Sequence, residues 1–130
     1  MVTDLQDYSH KRLNILTREW VLVSPHRSKR PWQGQNETVE EEIRPTYDKS
    51  CYLCAGNTRI NGEVNPNYQD VFVFTNDFAA LQNDSKVFVV KEGLIEAYGE
   101  KGVCKVICFS SDHSKSLADM DIKDITKVVK

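Results

Sequence analysis

Apolar residues in this chain come in short runs that turn formers keep interrupting. Trp20-Val21-Leu22-Val23 ends at Ser24-Pro25, Val71-Phe72-Val73-Phe74 leads into Thr75-Asn76-Asp77-Phe78, and Val87-Phe88-Val89-Val90 lies between Lys86 and Lys91. Their β-branched and aromatic content makes each a strand, and the third, continuously apolar, reads as a buried one. Residues 103–109 alternate instead, with Cys104, Val106 and Cys108 on one face and Val103, Ile107 and Phe109 on the other. Lys105 falls on that second face and calls for an edge position or a snorkelling stem. No run approaches the ~18 apolar residues that span a bilayer, which excludes a transmembrane helix. The first residues carry no apolar stretch of secretory type, so the expected location is cytoplasmic. In that compartment the four cysteines read as metal ligands or buried thiols rather than as a disulfide framework. The net charge of −2 also argues against a nucleic-acid partner, because phosphate binding through counterion release needs a strongly basic surface.

The remaining segments read as turns, arms and one helix. Residues 1–12 are polar and read as a loose arm. Residues 26–34 hold Arg27, Lys29 and Arg30 before Pro31-Trp32-Gln33-Gly34, a loop by its proline and glycine. Residues 35–49, with Glu40-Glu41-Glu42, read as an exposed crossing. Gly56-Asn57, Gly62 and Asn65-Pro66 mark further turns. Residues 94–98 fit either a helical turn or an edge strand. Leu117, Met120, Ile125, Val128 and Val129 recur at helical spacing behind Ser116, a candidate N-cap. This helix runs to Lys130, as in a chain that stops inside a larger fold, or as in a terminal helix that frays in solvent.

Cys51-Tyr52-Leu53-Cys54 is the motif with the most chemistry in it. Two thiolates three apart around a tight turn supply two adjacent corners of a tetrahedral zinc site. A redox pair is the alternative, but turn-rich loops flank the motif rather than a strand-to-helix junction. His113, in the polar loop after a strand, is the best third ligand; Cys104 and Cys108 are rivals that also suit a core. Arg27, Lys29 and Arg30 would suit a phosphate group, or form a solvated basic loop. Asn76-Asp77-Phe78 would suit a ribose or base edge, or form an Asx-capped turn. The sequence contains neither a Walker loop nor a glycine-rich dinucleotide turn.

Taken in order, Ser24-Pro25-His26-Arg27-Ser28-Lys29-Arg30-Pro31-Trp32-Gln33-Gly34, Cys51-Tyr52-Leu53-Cys54-Ala55-Gly56-Asn57 and Asn61-Gly62-Glu63-Val64-Asn65-Pro66 resemble the N-terminal signature of galactose-1-phosphate uridylyltransferases. The resemblance continues through Phe72-Val73-Phe74-Thr75-Asn76-Asp77-Phe78-Ala79-Ala80-Leu81, Val106-Ile107-Cys108-Phe109-Ser110 and Asp112-His113. It implies an α+β fold of the histidine-triad superfamily, an antiparallel half-barrel sheet with outer helices, incomplete in this chain. Residues 1–130 would then be the N-terminal portion of the family's N-terminal domain.

The implied reaction exchanges UMP between UDP-glucose and galactose 1-phosphate through a uridylyl-histidine, in a homodimer. The resemblance makes Cys51, Cys54 and His113 zinc ligands. It sets Arg27, Ser28, Lys29 and Arg30 at the UDP-sugar, reaching into the partner subunit's site. Ile60, Asn76, Asp77 and Phe78 would line the uridine pocket, with Asp77 accepting hydrogen bonds from the ribose hydroxyls and Tyr52 adding an aromatic wall. The family's nucleophile belongs to a His-Pro-His-Gly-Gln motif whose first histidine is the fourth zinc ligand, and this sequence has no His-x-His: its histidines are His10, His26 and His113. The expectation is therefore a fragment that is inactive alone and poorly stable. A non-catalytic zinc-knuckle or nucleotide-binding interaction module is the alternative.

Overall fold

In the computed structural model, residues 2–30 and 43–130 are described. The Pro31-Trp32-Gln33-Gly34 segment and the Glu40-Glu41-Glu42 run lie outside the described residues. The chain forms two compact units, one holding residues 2–30 and Phe78–Lys105, the other residues 43–77 and Val106–Lys130.

The first unit begins with α1 (Val2–Asp7), followed by β1 (His10–Asn14) and β2 (Glu19–Val23). Later in the chain come β3 (Phe72–Thr75), which belongs to the second unit, then β4 (Val89–Glu92) and β5 (Ile95–Gly99). Four of these strands make one sheet in the order β2-β1-β5-β4, every pair antiparallel. The register sets Leu13 opposite Trp20, and Lys11 opposite both Leu22 and Tyr98. Those side chains therefore share one face. Trp20 and Tyr98 meet there with ring centroids 5.3 Å apart, and the Lys11 ammonium lies 5.8 and 5.5 Å from the two rings. The opposite face carries the core of the unit, where His10 and Ala97 are fully buried and Val90 nearly so.

The polar arm expected over residues 1–12 is thus helix and strand. Its physical reason is His10, whose Nδ1 meets the Tyr8 carbonyl at 2.8 Å and whose Nε2 meets Arg12 at 3.3 Å. Arginine only donates, so Nε2 is the acceptor and Nδ1 carries the proton, which lets a polar ring be buried with both nitrogens partnered. The Val87–Val90 run also departs from expectation. Its strand starts only at Val89, lies at the sheet edge, and buries Val90 alone, while Val87 and Val89 are more than half exposed. Residues 94–98 resolve as β5, an interior strand rather than an edge. Gly99 is required at its end: a Cβ there would lie 2.6 Å from the Lys86 carbonyl oxygen and 2.7 Å from the Phe88 nitrogen.

Three side chains of this unit converge on two adjacent carbonyls. Ser9 and Ser24 donate to the Ala80 oxygen at 2.8 and 2.7 Å, and His26 Nε2 donates to the Ala79 oxygen. His26 belongs to a 3-10 helix, Pro25–Lys29, which takes up the first part of the stretch read as loop over residues 26–34 and starts on the proline favoured at that position.

In the second unit β3 pairs with β6 (Lys105–Cys108). The alternation read from the sequence holds: Val106 is half-buried and Cys108 buried, while Lys105 and Ile107 face out. Tyr68, Phe72 and Phe74 stack in series, with centroids 5.2 and 5.5 Å apart. The helix expected over 117–129 is split. Ser116 caps a single 3-10 turn, Leu117–Asp119, in a capping box with Asp119, and Asp121 precedes α2 (Ile122–Val129). Lys127 on α2 reaches Asp70 at 2.8 Å and Asp124 at 3.2 Å. Among the described residues no helix is long and apolar enough to cross a membrane.

Candidate metal centre and nucleotide loop

The Cys51-x-x-Cys54 turn is built by its neighbours. Asp48 accepts from the Ser50 amide at 2.8 Å and its hydroxyl at 2.7 Å, which turns the chain into Cys51. The Asn57 amide group then ties the Asp48 and Cys51 carbonyls together, both at 2.8 Å. Gly56, at φ +75°, takes the left-handed conformation that closes the loop. The Leu53 amide points at the Cys51 sulfur, 3.4 Å away.

His113 arrives from the loop after β6. Its amide donates to the Thr46 carbonyl at 2.8 Å, and Asp112 shapes the loop by accepting from the Ser114 hydroxyl at 2.6 Å and amide at 3.0 Å. Its Nδ1 lies 3.4 Å from the Cys54 sulfur. The ligand atoms of Cys51, Cys54 and His113 all lie within 4.8 Å of one another. Two thiols and an imidazole at that spacing can hold a metal ion, and the donor set suits zinc. Burial, above all, pushes the Cys54 thiol up. Among the described residues the rival thiols Cys104 and Cys108 stay outside this set; Cys108 is buried, and that burial raises its thiol too.

The residues expected at a nucleotide divide between the units. Ile60, Asn76 and Asp77 belong to the second, where Arg59 and Asn61, the neighbours of Ile60, both hydrogen-bond to the Asp77 carboxylate. Tyr52, also in that unit, is exposed. Phe78 opens the returning segment of the first unit, which also carries Arg27, Ser28, Lys29 and Arg30, all exposed on the 3-10 helix and its C-cap. Sequence reasoning passed over Arg59 and read Asn65 only as a turn marker and part of the family motif. Both are buried, and the only signal for them was their place around the Gly62 turn.

Comparison with known proteins identifies the class first. The fold is shared with a solved uridylyltransferase structure, with a TM-score of 0.60 and 22% sequence identity over 92% of this chain and 31% of that one. The likeness agrees with the α+β, half-barrel class implied by the sequence. The family model described as galactose-1-phosphate uridyl transferase, N-terminal domain, matches residues 1–130, and the chain belongs to that family. It is 49% identical to the galactose-1-phosphate uridylyltransferase of Haemophilus influenzae, over 95% of this chain and 36% of that protein. With the Hypocrea jecorina enzyme the identity is 47%, over 96% and 35%. With the Saccharomyces cerevisiae enzyme it is 42%, over 97% and 37%. The chain thus spans about a third of the length of the curated relatives it matches.

Proposed function

We propose that this chain is the N-terminal part of a cytoplasmic nucleotidyltransferase that exchanges UMP between UDP-glucose and galactose 1-phosphate through a uridylyl-histidine. Family membership supports the reaction class, and the convergence of Cys51, Cys54 and His113 within 4.8 Å carries the share assigned to this chain. Those three residues would hold zinc, whose role here is to fasten the turns at 46–57 to the loop after β6. Arg27 and Arg30, with Ser28 and Lys29, present exposed donors for the diphosphate of the UDP-sugar. Ile60, Asn76, Asp77 and Phe78 form the uridine side, with Tyr52 beside the metal turn as a further aromatic surface. The functional enzyme is a homodimer in this reading.

Each of the chain's own histidines has at least one ring nitrogen in contact with a partner. His10 is held between Tyr8 and Arg12, His26 donates to Ala79, and His113 faces Cys54. The sequence has no His-x-His nucleophile, and on this reading the chain alone binds rather than transfers. This gives the second reading, a zinc- and nucleotide-binding module, as what residues 1–130 do in isolation. The test is metal analysis of the purified chain, titration with UDP-glucose, and exchange of labelled UMP into galactose 1-phosphate. Expected are one zinc per chain, measurable UDP-glucose binding and no exchange. Exchange above a mock preparation would overturn the inactivity, and absence of both zinc and nucleotide binding would overturn the site.

A further inference from the structure

A surface turn in the second unit buries an arginine. Arg59 is 7% exposed, and every polar group of its guanidinium is engaged. Nε donates to Asp77 Oδ2 at 3.1 Å, Nη1 to Asn65 Oδ1 at 3.0 Å, and Nη2 to the Glu63 carboxylate. The guanidinium carbon also stands 4.2 Å from the centroid of the Phe74 ring. The backbone locks the same turn, with the Arg59 amide on the Glu63 carbonyl at 2.7 Å and a bridge between Thr58 and Val64.

Buried ion pairs contribute little net stability, because desolvation offsets much of their attraction; what such an arrangement supplies is fixed orientation. The group it fixes is Asp77, whose Oδ1 is held from the other side by Asn61 Nδ2 at 2.8 Å. A carboxylate offers about four acceptor directions, and the described residues occupy two of those of Asp77, whose side chain is still 14% exposed. The two acceptor directions that no described residue takes on this immobilised carboxylate match the vicinal hydroxyls of a ribose. On the far side of Arg59, the Asn65 side-chain amide donates to the Tyr52 carbonyl at 2.8 Å and the Cys54 carbonyl at 3.1 Å. Two side chains, Asn65 and Arg59, thus join the metal turn to the Asp77 carboxylate.

We propose that Arg59 is a positioning residue that aims the Asp77 carboxylate at the ribose diol of a uridine nucleotide, braced through Asn65 against the Cys51–Cys54 turn. This rests on the nucleotide reading above. The test measures, on the zinc-loaded chain, the affinities for UDP and for 2′-deoxy-UDP in wild type, Arg59→Lys and Asn61→Ala. Wild type prefers UDP. Arg59→Lys keeps the charge but loses the fork, and the preference falls by roughly tenfold, as expected for a lost hydrogen bond to a charged group, while 2′-deoxy-UDP binding stays within about twofold. Asn61→Ala, at an exposed position, lowers the preference by a smaller factor with zinc content unchanged.

A purely structural Arg59 would weaken both nucleotides alike. If wild type discriminates and both variants discriminate equally well, the positioning role is overturned and the nucleotide reading stands. Binding of both nucleotides with equal affinity by wild type removes the diol contact and this inference with it. Binding of neither removes the nucleotide reading itself. Should Arg59→Lys lose zinc or its fold, Asn61→Ala decides alone: an unchanged preference overturns the proposal.

Discussion

Cys54 illustrates how much of the metal centre depends on single side chains. Its sulfur is buried, faces His113 Nδ1 at 3.4 Å, and belongs to a turn whose carbonyls are held by Asn57 and Asn65. On the proposed zinc set, replacing Cys51 or Cys54 by Ser would remove a ligand outright. The expected loss of zinc affinity therefore exceeds the ~10–100-fold typical for losing an outer hydrogen-bond partner of a ligand. Cys108→Ser, by contrast, should retain full zinc content, because that sulfur lies outside the ligand set. Chelator competition on the three variants distinguishes these outcomes, and equal loss in Cys108→Ser would mean that the ligand set includes it.

The acidic residues around the site make a pH prediction. The Ser114 hydroxyl, then its amide, holds the Asp112 carboxyl below the usual carboxylate range, and Ser50 does the same for Asp48. A folded-state value below the unfolded one means that the stabilisation is complete above the unfolded value and is lost as pH falls through the folded one. Melting temperature should therefore fall on acidification below about pH 4. The double variant Ser50→Ala/Ser114→Ala should show a shallower fall when melts are compared from neutral to acid pH. An unchanged slope would show that these turns do not contribute.

Among the elements, the convergence on Ala79 and Ala80 best shows what holds a loop to a sheet. Ser9 precedes β1 and Ser24 follows β2, yet both donate to one carbonyl far along the chain. Each is a part-buried neutral hydrogen bond worth about 1 kcal/mol, and both share one acceptor. Ser9→Ala and Ser24→Ala should each destabilise by about that amount, and the double variant should cost more than the sum, because the Ala80 oxygen then loses both donors. Urea denaturation of the three variants measures it; strict additivity would show that the carbonyl finds water instead.

Much of the element order was legible in the sequence. The strands at 19–23 and 72–75, the alternation along β6 and the Ser116 cap follow from local chemistry. The clustering of Cys51, Cys54 and His113 was equally legible, since the two cysteines are three apart and His113 sits in a polar loop. The N-terminal arm was misread because Ser9 and His10 are polar yet buried, and partners supplied by Tyr8, Arg12 and Ala80 do not show in composition. Val87–Val90 was misread because a continuous apolar run at a sheet edge has the same sequence as one in a sheet interior. Arg59 escaped notice because burial of an arginine depends on the distant Asp77 and Phe74.

At the scale of the whole molecule, apolar burial among the described residues is modest. Leu16, Leu94, Val103, Ile122 and Val129 are among the large hydrophobic residues that face solvent. With few fully buried apolar side chains among the described residues, a metal bound only by the folded state would become a large part of stability. At a free metal concentration about 100 times the dissociation constant, that linkage amounts to ~2.7 kcal/mol. Stripping zinc with a chelator should lower the melting temperature, and adding back zinc but not magnesium should restore it, given thiolate and imidazole donors. Indifference of the melt to both treatments would detach the metal from folding.

The face of the first sheet that holds Trp20 against Tyr98 has an optical consequence. At 5.3 Å between rings, excitation absorbed by the phenol passes almost completely to the indole, so the pair emits as tryptophan. Because β1 lies between β2 and β5, separating any of these strands breaks that transfer and brings back tyrosine emission. The sheet thus carries an intrinsic spectroscopic ruler that registers its own opening without an added label.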